Sequence, residues 1–197
     1  MKDYVEFVGL LALFFGNQAL KYIKKKRIID QAPAKLDAEY KIRLEISEYI
    51  KKIQAYTGAS RVAMFEYSNG TKTHSNTCLQ FVECSYESTD EVTRPIIQDF
   101  KRMPIGPFLK ILDNIANSKT KWYKVTDEDE DEDIAKLQKY YRVSTSYNFK
   151  ITDVVYDGVV SASWINKKED LTQEEISNIE IIIMRIYNLM SKLSNNK

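Results

Sequence analysis

One histidine and two cysteines fall within a single stretch, FEYSNGTKTHSNTCLQFVECSYE, from Phe65 to Glu87. His74, Cys78 and Cys84 are the residues whose types could ligate a metal, attack a carbonyl or exchange a disulfide. A structural zinc site wants four clustered ligands. His74 with one cysteine supplies two, and neither a C-x-x-C nor an H-x-x-x-H pattern occurs. If CLQFVECSY is one strand, Cys78 and Cys84 share a face about 20 Å apart, beyond the reach of a disulfide. A redox pair needs a resolving thiol beside the attacking one, which this spacing denies unless the loop bends Cys78 back. Ser75 and His74 could be joined to an acidic residue as a hydrolytic triad, but no nucleophile-elbow glycine pattern supports it. The chain has no P-loop and no dinucleotide fingerprint. The simplest assignments make Cys84 a small core hydrophobe beside Val82 and Tyr86, and His74 a polar loop residue. The expectation is a non-enzymatic protein with no catalytic residues, no metal site and no cofactor.

The bulk properties narrow the class further. A chain of 197 residues allows one domain and something extra. Its net charge of +1 lacks the basic excess of a nucleic-acid binder, so no nucleic-acid partner is expected. Two cysteines make no disulfide framework.

The amino terminus departs from the average, with no charge from Phe7 to Leu20. A full span needs about 20 apolar residues. Tyr4 and Tyr22 suit the interface and Lys21 can snorkel, so the run can be stretched to a short anchor. The basic cluster Lys24, Lys25, Lys26 and Arg27 follows the apolar run, the reverse of a signal peptide. Residues 1–23 are read as a single-pass transmembrane helix, 24–34 as a basic linker broken at Pro33, and 35–197 as a folded domain. The positive-inside rule leaves that domain cytoplasmic. A buried or partner-packed helix is the alternative.

Within the domain, a leading helix runs to about Thr57, with Leu36, Ile42, Ile46, Ile50 and Ile53 along one side and Gly58 as its stop. Glu39–Arg43 and Glu48–Lys52 are spaced as i,i+4 pairs on its wet side. SRVAMFEY and CLQFVECSYE read as strands around a loop containing Asn69-Gly70. A helix is expected after Asp90, constrained by Pro95, then a short helix within PIGPFLKILDNIANS and a short strand KWYKV. The acidic run from Asp127 to Asp133 lacks the glycine and alternating ligands of a calcium loop; at a helix start its charge opposes the dipole. TSYNFKITD and GVVSASWIN form a hairpin around Asp157-Gly158. The last helix opens with the capping box Thr172-Gln-Glu-Glu175. Its stripe of Ile176, Ile179, Ile183, Ile186 and Met190 is widened by Ile182, Leu189 and Leu193.

This order is α+β with one antiparallel sheet. YRVSTSYNFKITDVVYDGVVSASWINKKEDLTQEEISNIEIIIMRI resembles the carboxyl half of a GAF domain, and ASRVAMFEYSNG its first strand after the leading helix. The resemblance implies a sensory or regulatory domain, of a family whose members bind cyclic nucleotides, small molecules or chromophores, or serve as dimerisation modules. Of the motif associated with cyclic-nucleotide binding, only Asn166-Lys167 is present. The implied architecture is a GAF-like sheet flanked by amino- and carboxyl-terminal helices, behind the transmembrane helix.

On strand alternation, a cup for a small ligand is expected from Phe65, Tyr67, Phe81, Glu83, Tyr147, Phe149, Ser161 and Ser163: aromatics with a few hydroxyls and one carboxylate. The same alternation could simply build a core. The expected function is a membrane-anchored regulatory domain binding a small molecule or a protein partner. The alternative is a phage or bacterial inner-membrane accessory protein acting only through protein contacts, its pocket filled by its own side chains. Spare apolar positions, Tyr40 and Leu44 on the first helix with Ile182 and Leu189 on the last, predict a homodimer.

The anchor assignment is directly testable. The full-length chain is expected to sediment with membranes, and Leu11→Asp with Phe14→Asp to release it, since a central charge costs about 2.5–3.5 kcal/mol on insertion scales. Full-length protein that stays in solution without detergent would count against the anchor.

Overall fold

The computed structural model describes residues 35–68, 81–127, 132–151, 158–166 and 170–195. The proposed anchor and linker, and His74 and Cys78, lie outside them. Among the described residues no helix is long and apolar enough to cross a membrane.

The leading helix, α1 (35–57), forms as its periodicity predicts. Ile46, Ile50 and Ile53 are fully buried on one side, whereas Leu36, at the start of the same stripe, is exposed. Gly58 closes the helix at φ 63°, donating its N–H to the Gln54 carbonyl at 2.9 Å. The ion pairs on its wet side are Lys41–Asp37 and Lys51–Glu48, not the two expected; Lys52 instead lies over the Tyr49 ring.

Among the described residues six strands follow in one sheet: β1 (Arg61–Ser68), β2 (Phe81–Thr89), β3 (Met103–Pro104), β4 (Trp122–Thr126), β5 (Thr145–Lys150) and β6 (Val159–Trp164). Their spatial order is β3-β2-β1-β6-β5-β4, and every pairing is antiparallel. Helix α2 (Leu109–Asn117) precedes β4, and α3 (Glu132–Tyr141) joins β4 to β5. The last helix is α4 (Gln173–Asn195). Its capping box forms: Glu175 N–H donates to Thr172 Oγ1 at 3.1 Å and Thr172 N–H to Glu175 Oε2 at 2.7 Å. Glu132 and Asp133 occupy the first turn of α3 and are solvated, as expected of the acidic run's carboxyl end.

Side-chain alternation divides the sheet into two unlike faces. Val62, Met64, Val160, Ala162, Tyr147 and Phe149 join α1 and α4 in the main core. Ala63, Val82 and Cys84 face the other way, towards Ile96 and Phe100. Leu112 and Ile115 of α2 pack there against Val159.

Two expectations are corrected. Residues 90–101 form turns and bends, not a helix. Asp90 Oδ1 accepts the N–H groups of Val92 and Thr93, Pro95 disfavours helical backbone at Arg94, and one turn closes from Ile96 to Phe100. Cys84 and Tyr86 do not share a face either. A register shift between Met64 and Phe65 pairs Met64 with Tyr86 but Phe65 with Cys84. Such a bulge moves the residues beyond it across the sheet, leaving Tyr86 against the main core.

Gly158, immediately before β6, has φ 140°. A Cβ there would stand 2.8 Å from Ile151 Cδ1 and 2.9 Å from the Phe65 carbonyl oxygen. Gly158→Ala should therefore destabilise the domain by about 1–3 kcal/mol. Urea unfolding checks this; an unchanged midpoint would show that the strands tolerate a wider spacing.

Candidate functional site

Between the sheet and the layer of α2, α3 and residues 90–101 lies a cavity of about 120 Å³. Its sheet wall comes from four strands, with Val82 from β2 and alternate residues of three others. β1 contributes Arg61, Ala63, Phe65 and Tyr67; β6 contributes Val159, Ser161 and Ser163; β5 contributes Ser146 and Asn148. Antiparallel pairing forces this grouping, because directly paired residues point the same way. Ser161 lies opposite both Ala63 and Asn148, and Ser163 opposite both Arg61 and Ser146. The facing wall is Phe100, Phe108, Ile111 and Leu112, with Leu137, Gln138 and Tyr141 of α3.

The lining is apolar at one end and polar along the β5–β6 strip. Phe100 sits 5.0 Å from Phe65, 5.4 Å from Phe108 and 5.3 Å from Tyr141, ring centre to ring centre. Along the strip, Asn148 Nδ2 donates to Ser146 Oγ at 3.1 Å and Ser163 Oγ to the Arg61 carbonyl at 3.4 Å. Gln138 reaches the cavity from α3 with only 7 % of its surface exposed. Among the described residues, neither Nε2 nor Oε1 of its carboxamide has a hydrogen-bond partner. The backbone there is tightly fixed: Arg142 turns left-handed at φ 52°, and Val143 N–H reaches back to the Gln138 carbonyl at 2.8 Å. That is the six-to-one bond of a Schellman close.

Among the described residues, one charged side chain lines the cavity. Arg61 Nε stands 3.2 Å from Glu87 Oε1, both side chains being nearly fully buried. Arg61 Nη2 also donates to the Arg94 carbonyl at 2.7 Å. The Glu87 carboxylate accepts N–H groups of Ile96 and Ile97 at 2.8–3.0 Å. Burial pulls the Arg61 guanidinium below its ordinary value while Glu87 holds it up. The pair leaves the site without uncompensated charge, and it ties residues 94–97, which carry the cover, to β1 and β2. Burial also pushes up the Tyr67 phenol and raises Tyr141 to about 12, so both are neutral donors at physiological pH. The Cys84 thiol is held at about 12, chiefly by burial, and donates to the Tyr86 carbonyl at 3.4 Å. A thiol so placed is a poor nucleophile. Among the described residues no group of three His, Cys, Asp or Glu could hold a metal ion.

The eight residues expected to form one cup are divided by the sheet. Phe65, Tyr67, Ser161 and Ser163 line the cavity. Tyr147 and Phe149 lie on the opposite face, almost fully buried in the main core. The Tyr147 hydroxyl donates to Asp170 at 3.1 Å and accepts from Leu171 N–H at 3.2 Å, fixing the approach to α4. Phe81 and Glu83 are also outside the lining, paired with Ser68 and Glu66 on the side of β2 away from Val82; the Arg102 guanidinium lies over the Phe81 ring. Sequence reasoning missed Arg61, Ser146, Asn148 and Gln138. For Ser146 and Asn148 a signal was present: TSYNFK alternates polar with aromatic, so its serine and asparagine cannot share a face with its aromatics.

No family model matches the sequence, and comparison with curated proteins finds no match. Solved structures do match in fold. The blue-light absorbing form of the Thermosynechococcus elongatus PixJ GAF domain superposes with a TM-score of 0.60 at 12 % identity, over 80 % of this chain and 89 % of that one. A phycoerythrobilin-bound GAF domain from a cyanobacterial phytochrome gives 0.58 at 12 % identity, over 85 % and 92 %. The GAF domain/HD domain protein from Geobacter sulfurreducens gives 0.56 at 12 % identity, over 78 % and 94 %. The chain therefore has a GAF-like fold, as the sequence resemblance implied.

The central ion pair has a measurable consequence. Arg61→Ala leaves Glu87 buried without its countercharge and should cost about 3–5 kcal/mol. The double replacement Arg61→Met with Glu87→Leu should recover much of that loss, although Glu87 also holds two amides. Equal destabilisation of the single and double variants in urea would mean that the charges are not coupled.

Proposed function

We propose that this chain is a sensory or regulatory GAF-like domain, acting without catalysis, that binds a small molecule on the Ser161 face of its sheet. The observation that carries the reading is the cavity itself, apolar at one end and polar along the β5–β6 strip, with a buried carboxamide turned towards it. Ligand pockets characteristically combine an apolar lining with a few placed polar groups. Their usual size is about 300–1,000 Å³, so a cavity of about 120 Å³ selects a compact ligand. The uncharged run from Phe7 to Leu20 and the basic cluster after it support anchoring in a membrane, with the domain on the cytoplasmic side.

Exposed apolar side chains favour a protein contact as well. Tyr40 and Leu44 project from α1, and Ile181, Met184 and Tyr187 from α4. Tyr40 and Leu44 are residues expected to pair two copies; on α4, Ile181, Met184 and Tyr187 take the place of Ile182 and Leu189, since Leu189 is buried in its own core and Ile182 is packed against it. Two anchored copies would share one membrane at high effective concentration, so even weak pairing through this surface would count.

Denaturing extraction of the purified full-length protein, followed by mass spectrometry, tests ligand binding. A compact molecule is expected in near-stoichiometric amount. Ala63→Leu, which fills the cavity, should abolish its retention, whereas Tyr147→Phe, on the other face, should retain it. Equal retention by both variants, each shown to be folded by circular dichroism, would remove the assignment.

A further inference from the structure

The orphaned carboxamide of Gln138 specifies a ligand class. A buried amide without partners carries the full desolvation cost of its donor and acceptor, and buried polar groups are normally satisfied. Gln138 is 7 % exposed, lines the cavity, and has both Nε2 and Oε1 unpartnered. Its main chain is pinned by the Val143 N–H at the left-handed close of α3, so the amide cannot easily be withdrawn. Three further facts bear on what would satisfy it. Arg61 and Glu87 neutralise each other, which disfavours an ionised guest, because an added buried charge would have no counterion. Phe65 and Phe100 offer aromatic surface beside the polar strip. The volume, about 120 Å³, is close to the roughly 150 Å³ of an engineered cavity that admits benzene.

From these observations we infer that the cavity binds a neutral, single-ring molecule carrying an N–H and a C=O side by side, a cyclic amide, read by Gln138 through two hydrogen bonds. Nε2 donates to the ligand carbonyl and Oε1 accepts the ligand N–H, while the ring packs on Phe65 and Phe100. The bidentate geometry is the same complementarity by which a Gln side chain reads adjacent donor and acceptor atoms on a base edge. This inference rests on the small-molecule reading of the same cavity and adds the chemistry of the guest.

The test is calorimetric titration of the full-length protein in detergent with three single-ring probes: 2-pyridone, benzene and benzoate. Saturable binding of 2-pyridone at least tenfold tighter than benzene, with no binding of benzoate, is expected. Gln138→Leu should lose that preference while its thermal midpoint stays level or rises, because an unsatisfied buried amide has been removed; Gln138→Met, closer in shape, should behave alike. Binding of benzene or benzoate as tight as that of 2-pyridone, lost in Ala63→Leu, would overturn the cyclic-amide class and leave the cavity reading standing. So would a 2-pyridone affinity unchanged in Gln138→Leu. Failure of all three probes, with no small molecule released from the purified protein, would overturn both.

Discussion

A buried ion pair holds the two layers of this site together. Arg61 projects from β1 into the space between the sheet and its cover, where an unpaired guanidinium would be prohibitively desolvated. Glu87 of β2 supplies the countercharge, and its remaining hydrogen-bonding capacity is taken by the Ile96 and Ile97 amides. Arg61 in turn holds the Arg94 carbonyl. Neutralising one charge thus fixes the backbone of residues 94–97, and with it Ile96 and the nearby Phe100 that wall the cavity. A pair so placed adds little net stability against an apolar replacement; its contribution is to determine where the cover sits.

The two faces of the sheet then follow different rules. The α1–α4 face is filled by large apolar side chains, with the Tyr147 ring tilted against Trp122 and edge-to-face with Trp164, and its hydroxyl satisfied at Asp170 and Leu171. The opposite face carries serines and an asparagine where the first face carries aromatics and valine, and α3 lays over it a glutamine whose carboxamide is unsatisfied among the described residues. Stability alone would favour apolar residues at such positions. Polar side chains gathered at one cavity, with the Gln138 carboxamide among them unsatisfied, are the arrangement expected of a face shaped by a guest.

Much of the architecture was legible because its signals are local. Helical periodicity, Gly58 and the Thr172–Glu175 capping box each state their own structure within a few residues. The site was half legible. Alternation says which residues of one strand share a face, but it cannot say which face of one strand meets which face of the next. Tyr147 and Phe149 were grouped with Ser161 and Ser163, whereas the register pairs Ser161 with Asn148 and Tyr147 with Ala162. That parity depends on the turn between β5 and β6, which the sequence does not count out. On β2, a bulge that no residue type announces separated Cys84 from Tyr86. Gln138 was invisible for another reason: in IAKLQKYYRV it reads as an ordinary polar helix position, and only the packing of α3 over the sheet buries it.

The central claim is that the Ser161 face encloses a guest and is not a filled core. A high-resolution crystal structure of the protein purified without added ligand tests it most directly. The account predicts density for a compact molecule between Phe65 and Phe100, within hydrogen-bonding distance of the Gln138 carboxamide. Ordered water alone at that place, or Phe100 and Leu137 collapsed into the space with the Gln138 amide turned to solvent, would contradict it.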